Sequence, residues 1–208
     1  MNNKSNIIDQ FITKLSNHKE TQDFTNLYQG NSRESYIRRH NLKLYLNIMK
    51  EINPSILLLG EAPGYKGCRL TGIPFTSERV LYDKDFFKNQ GFSFINNLNE
   101  LESEISATIV WNELENYDVK PLIWNIFPFH PHEAGKIKTN RTPAKTELII
   151  GKEFLKELLD IFNIKKIIAL GRKPESQISD LGVDFVYIRH PANGGKKMFS
   201  EGLKKEMK

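Results

Sequence analysis

Glu61, Phe75, Asn125 and His190 are the side chains of this chain best suited to chemistry, because each lies at the end of an apolar run that reads as a β-strand or in the turn-rich loop that follows one. Glu61 directly follows Ile56-Leu57-Leu58-Leu59-Gly60, and Phe75 sits farther along the same turn-rich stretch, in Gly72-Ile73-Pro74-Phe75-Thr76. Asn125 lies in the run 122–127, and His190 follows 185–188 and precedes Pro191, which disfavours helical backbone at the histidine. An imidazole or a carboxylate can move or orient a proton, a carboxamide sets a donor beside an acceptor, and an aromatic ring offers a stacking face. No Gly-x-Ser-x-Gly elbow, Walker loop or dinucleotide fingerprint accompanies them.

Such loops need a scaffold that brings strand ends together. The aliphatic run 56–59 suits a strand buried on both faces, and Pro63 with Gly60, Gly64, Gly67 and Gly72 stops it from continuing. Further strands are expected at 122–127, 166–170 and 185–188. Helices are expected at 6–16, at 33–52 with Tyr36, Leu42, Tyr45, Ile48, Met49 and Ile52 on its apolar stripe, and at 77–87. Three more are expected from a Ser106 cap to Tyr117, from Thr142-Pro143 to about Phe162, and from near Pro174 to about Leu181. This alternation predicts an α/β fold, a three-layer α/β/α sandwich around a central, mainly parallel four-stranded sheet. The segments starting at Gly60, Asn125, Gly171 and His190 then leave one sheet edge, where ligands bind in open α/β folds. Residues 88–105 show no periodicity that assigns them.

The 208 residues carry 30 Lys and Arg against 25 Asp and Glu, a formal charge of +5 that is compatible with a polyanionic partner without requiring one. One substantial core fits this length and no linker-like tract interrupts it. A single domain over 1–208 is therefore expected, with a helical cap at 1–52 and an α/β core at 53–208. Lys136, Lys138, Arg141 and Lys145 form one local basic cluster, and Lys196 with Lys197 another. The lone cysteine, Cys68, excludes an internal disulfide framework and a metal cluster built on several thiolates of one chain. With a polar N-terminus that lacks a signal-like apolar core, and no membrane-length apolar stretch, the expected compartment is the cytoplasm. No obligate protein partner is signalled, and a monomer is expected.

Four ordered motifs resemble the uracil-DNA glycosylase superfamily: Gly60-Glu61-Ala62-Pro63-Gly64 its first motif, Gly72-Ile73-Pro74-Phe75-Thr76 its pyrimidine-stacking segment, Trp124-Asn125 its base-reading strand end, and His190-Pro191-Ala192 its final motif. The resemblance spans about residues 55–200. It implies an α/β/α fold, DNA containing a deaminated base as partner, hydrolysis of an N-glycosidic bond, and no cofactor or catalytic metal. Two departures stand out. Branches with this type of first motif commonly hold an iron-sulfur cluster through four cysteines, whereas this chain has only Cys68. In the best-known branch the third residue of the motif is a water-activating aspartate, and here it is Ala62.

On this resemblance Asn125 reads the pyrimidine edge, accepting from uracil N3–H while donating to O4, and Phe75 stacks on the extruded base. His190 donates to uracil O2 as charge develops on it, Glu61 positions water, and Gly60, Ala62, Pro63 and Gly64 shape the loop around both. Arg189, Asn193, Lys196 and Lys197 would meet phosphates, with Met198 or Phe199 as a wedge into the base stack. His130-Pro131-His132-Glu133 has the residue types of a metal site, but histidines alternating about a proline often point apart, so a DNA-facing or structural loop is expected. Two other readings stay open: a non-catalytic nucleic-acid-binding relative, and a hydrolase of free nucleosides or nucleotides.

Overall fold

In the computed structural model, which describes residues 6–207, the aliphatic runs form the centre of the molecule. In chain order the elements are α1 (Ile7–Asn17), β1 (Phe24–Thr25), α2 (Arg33–Ile52), β2 (Ile56–Gly60), α3 (Cys68–Thr71), α4 (Glu78–Asp83) and α5 (Ile105–Leu114). They continue as β3 (Leu122–Asn125), β4 (His130–Pro131), α6 (Lys145–Ile161), β5 (Lys166–Leu170), α7 (Arg172–Glu175), β6 (Asp184–Ile188) and α8 (Lys196–Glu206). Strands β3-β2-β5-β6, in that order, make one parallel sheet flanked by helices, the α/β architecture expected from the alternation. The N-terminal residues 1–5, read above as unlike an export signal, lie outside the described residues. Among the described residues no helix is long and apolar enough to cross a membrane.

Sequence patterning explains the packing. Helix α1 buries Ile8, Phe11, Ile12 and Leu15, one stripe at helical spacing, and the Asn6 side chain caps it by accepting from Ile8 N at 3.1 Å. Helix α2 opens on a Ser32 cap, buries Leu42, Tyr45, Leu46 and Met49, and ends where Asn53 turns left-handed at φ 52°. The Tyr45 hydroxyl accepts the Ile123 N–H at 2.8 Å, so a donor of edge strand β3 is not left bare. On the same strand Trp124 meets Phe11, which in turn meets Phe154 of α6. Tyr36, expected on the apolar stripe of α2, is 70% exposed because it stands about 2.5 helical turns from the buried Tyr45, on the opposite face of the helix.

Several boundaries differ from the sequence expectation. The helix expected over 77–87 starts at its Ser77 cap but breaks at Lys84, whose extended backbone leads into a single 3-10 turn, Asp85–Phe87. This break lets both Phe86 and Phe87 pack on Trp111 of α5. Ser106 is not a cap. It lies inside α5 and donates its hydroxyl to Glu104 at 2.9 Å, and α5 ends at Leu114. Helix α6 begins at Lys145 rather than at Thr142-Pro143, because the Glu147 carboxylate accepts the Ala144 N–H at 2.7 Å while Arg141 holds the Thr142 carbonyl at 2.8 Å outside the helix. The helix expected to reach Leu181 is one turn, α7, and the β1–β4 antiparallel pair was not legible at all. Strand β3 ends at Asn125, although Ile126 N and Phe127 N go on to donate to Gly60 O and Glu61 O.

The segment 88–105, unassigned from sequence, is held by side chains of α2, where Asn41 bonds both backbone groups of Ser93, and above all by one buried carboxylate. Glu78, 1% exposed, accepts from Ile95 N, Asn96 N, Asn96 Nδ2 and, more weakly, Glu102 N, the first three at 2.7–2.9 Å. An irregular loop whose backbone donors converge on one anion needs no periodicity of its own. Replacing Glu78 with Ala should therefore destabilise the fold by about 3 kcal/mol, since it orphans several buried donors. Urea unfolding measures this, and a loss below about 1 kcal/mol would contradict the clamp.

Candidate active site

The site starts from the register of two strands. Gly60 of β2 stands beside Asn125 of β3, and a Cβ at Gly60 would lie 2.2 Å from Phe75 Cε2 and 2.6 Å from Asn125 Oδ1. Glycine alone lets an aromatic ring and a carboxamide close together on the end of the strand.

Phe75 takes that position at a conformational cost, with φ +49°. Its turn is pinned from several sides. Thr71 Oγ1 donates to Thr76 O at 2.7 Å, Asn41 Nδ2 of α2 donates to Thr71 O at 3.0 Å, Tyr28 donates to Gly72 O at 2.9 Å, and Trp111 Nε1 donates to Thr76 Oγ1 at 3.2 Å. The ring is 8% exposed and its centroid lies 5.7 Å from that of His190, whose loop follows β6 at the far edge of the sheet. Asn125 is 2% exposed, yet among the described residues its side-chain amide has no hydrogen-bond partner. A nearly buried carboxamide without a protein partner invites a ligand.

His190 has a defined proton arrangement. Pro191 has no N–H to offer, and the Ala192 N–H donates to Nδ1 at 3.2 Å. The neutral ring therefore carries its proton on Nε2, which serves as a donor. Burial, helped by the adjacent Arg189 charge, pulls the imidazole below its ordinary value of 6.5 and favours this neutral form.

The first-motif loop is strutted by side chains from elsewhere. His130, fully buried, places Nδ1 2.7 Å from Pro63 O and Nε2 3.0 Å from Ile137 O, and Asn140 Oδ1 accepts from Tyr65 N at 3.0 Å. His132 is 6% exposed and engages Thr25 and the Glu133 carbonyl. Of the two roles expected for this loop, DNA-facing or structural, the histidines have the structural one. Phe199 is fully buried in the core and so is no wedge, while Met198 is exposed.

The loops enclose a cleft of about 290 Å³ at the C-terminal edge of the sheet. Glu61, Ala62, Pro63, Gly64, Phe75, Asn125 and His190 all line it, and Gly60 lies against Phe75 and Asn125. Arg189, Asn193, Lys196 and Lys197 do not line it and are exposed around the loop that carries His190. The basic cluster is divided in purpose. Arg141 lines the cleft but spends its guanidinium on Glu147, at 2.7 and 3.0 Å, and on backbone carbonyls, whereas Lys136 pairs with Glu133 at the surface.

Sequence reading missed Glu104, Ser106, Asn140 and Cys68 in this cleft. Glu104 lies across the glycine-rich loop: a Cβ at Gly67 would fall 1.6 Å from Glu104 Oε2, and one at Gly64 2.8 Å from Oε1. Burial, partly opposed by the Ser106 hydrogen bond, pushes this carboxyl above its ordinary value of 4.5. The pairing of Gly64 with Gly67 is the one sequence signal of it, since two glycines three apart announce that something approaches closely.

Comparison with known proteins agrees with the fold. The profile of the uracil DNA glycosylase superfamily matches residues 47–204. The crystal structure of wild-type Pedobacter heparinus SMUG2 superposes with a TM-score of 0.68 at 17% sequence identity, covering 96% of each chain, a likeness of fold. No curated protein matches the sequence. The family match takes in all four motifs and the sheet that presents them, and the chain belongs to the uracil-DNA glycosylase superfamily.

Proposed function

We propose that the protein is a monofunctional DNA glycosylase that extrudes a deaminated base, with uracil as the base that fits best, and hydrolyses its N-glycosidic bond to leave an abasic site. The observation that carries this reading is the unpartnered amide of Asn125, facing a cleft that Phe75 and His190 share. An extruded uracil stacks on Phe75 while Asn125 Oδ1 accepts from N3–H and Nδ2 donates to O4. Cytosine presents the reverse pattern and leaves buried polar atoms unpaired, a penalty of roughly 1–3 kcal/mol per group.

Bond breaking moves an electron pair from C1′–N1 onto the departing base, where charge gathers on O2. The Nε2–H of a neutral His190 is the donor for that oxygen, and it is most effective in a cleft with little water. Glu61, which lines the same cleft, positions the attacking water together with the backbone of Gly60, Ala62, Pro63 and Gly64, and the sugar passes through an oxocarbenium-like state. The exposed Arg189, Asn193, Lys196 and Lys197 meet phosphates flanking the extruded nucleotide. No metal or cofactor enters this scheme.

Purified protein should release uracil from a uracil-containing oligonucleotide in the presence of a chelator. Asn125→Asp should abolish that release or shift preference toward cytosine. Complete inactivity on uracil, hypoxanthine and xanthine substrates would refute the glycosylase reading. His190 supplies a second check. Its folded pKa lies below 6.5, so the unfolded chain takes up the proton first and His190 makes stability fall as pH drops from about 6.5 through the folded pKa. Nitrogen NMR of the ring should show the Nε2–H tautomer and a titration midpoint below 6.5; a midpoint above it would contradict the neutral ring, and an Nδ1–H tautomer would remove the donor from the scheme.

A further inference from the structure

The proposed reaction places the attacking water and assigns no group to take its proton. The cleft holds two carboxylates, and they are differently mounted. Glu61 sits on the loop after β2, and among the described residues its side chain has no hydrogen-bond or ion-pair partner to fix it. Glu104 comes from the segment clamped by Glu78, at the residue preceding α5. Its Oε1 is anchored by the Ser106 hydroxyl at 2.9 Å, while Oε2 has no donor among the described residues and no cation pairs with the group. Gly64 and Gly67 are bare of side chains where this carboxylate crosses the first-motif loop.

We propose, on the basis of the glycosylase reading above, that Glu104 is the general base of this site, with Oε2 accepting a proton from the water held by the first-motif loop. The water oxygen forms the bond to C1′ as C1′–N1 breaks, the bonding pair leaves with the base, and the water proton passes to Glu104 Oε2 and later to solvent. His190 stabilises the departing anion throughout, so stabilisation of the leaving base and removal of the water proton stand on different elements. Glu61 steers the water and does not hold the proton.

The electrical surroundings of Glu104 support this assignment. Facing or flanking it are Glu61 after β2, Cys68 at the start of α3 with its thiol held protonated by burial, Arg141 before α6 and His190 after β6. Arg141 is committed to Glu147 and Lys66 is turned to Glu102 at 3.7 Å, so neither cation neutralises Glu104. Burial raises the affinity of Glu104 for a proton and the Ser106 hydroxyl lowers it. A carboxylate so balanced ionises closer to neutrality than a surface glutamate, as a general base requires.

The test is single-turnover release of uracil from oligonucleotide, measured across pH for the full-length protein, Glu104→Gln and Ser106→Ala. Wild type should show a rate that climbs with pH as Glu104 ionises. Glu104→Gln, which keeps size and the Ser106 contact, should lose about 100-fold or more in rate and lose that acidic limb, with DNA affinity unchanged within a few-fold. Ser106→Ala removes a donor to the charged form and should move the limb to higher pH, a response that general damage to packing does not produce. Active wild type with Glu104→Gln within about fivefold of it, or with the acidic limb intact in Glu104→Gln, overturns this assignment alone. An unmoved limb in Ser106→Ala does the same. Wild type that releases no base overturns the glycosylase reading and this assignment with it.

Discussion

The site depends on a missing side chain. At the end of β2 the hydrogen at Gly60 leaves room for the edge of Phe75 and the amide oxygen of Asn125, which would both clash with a methyl group there. The parallel register sets Asn125 beside Gly60, and the pinned turn at 71–76 delivers Phe75 from the other direction. Remove the space and neither group can occupy its place, whatever the rest of the fold does. The positive φ of Phe75 and the convergence of hydrogen bonds from Tyr28, Asn41 and Trp111 are consequences of meeting that constraint.

Around this contact the protein uses buried polar residues as struts, not as reagents. Glu78 gathers the backbone of an irregular segment, His130 ties the first-motif loop to the loop before α6, and Arg141 with Glu147 fixes the entry into that helix. Each leaves its hydrogen-bonding capacity inside the protein. Asn125, Oε2 of Glu104 and Nε2 of His190 stand apart because their capacity is directed at the cleft, with no protein partner among the described residues. On the proposed function, that contrast separates groups that build the pocket from groups that use it.

Much of this was legible in the sequence, because strand ends announce themselves. Runs such as Ile56-Leu57-Leu58-Leu59 break sharply at Gly60, and parallel alternation sends Glu61, Asn125 and His190 to one edge. What escaped was the segment 88–105, whose order comes from side chains distant in sequence, Glu78 on the backbone of Ile95 and Asn96 and Asn41 on that of Ser93. Glu104 was invisible for that reason. Ser106 was misjudged because a serine before an apolar run resembles a cap, when its hydroxyl serves a side chain two residues back. Likewise Thr142-Pro143 has the form of a helix start, yet Glu147 draws the first turn to Ala144. Local patterns failed where a distant or reciprocal hydrogen bond decided the outcome.

The most direct test of the account is a crystal structure of the protein soaked with free uracil. The account predicts the base lying flat on Phe75, its N3–H and O4 edge paired with the Asn125 amide and its O2 within hydrogen-bond reach of His190 Nε2. Uracil bound in another cavity, or bound in this one with its imide edge turned away from Asn125, would contradict it.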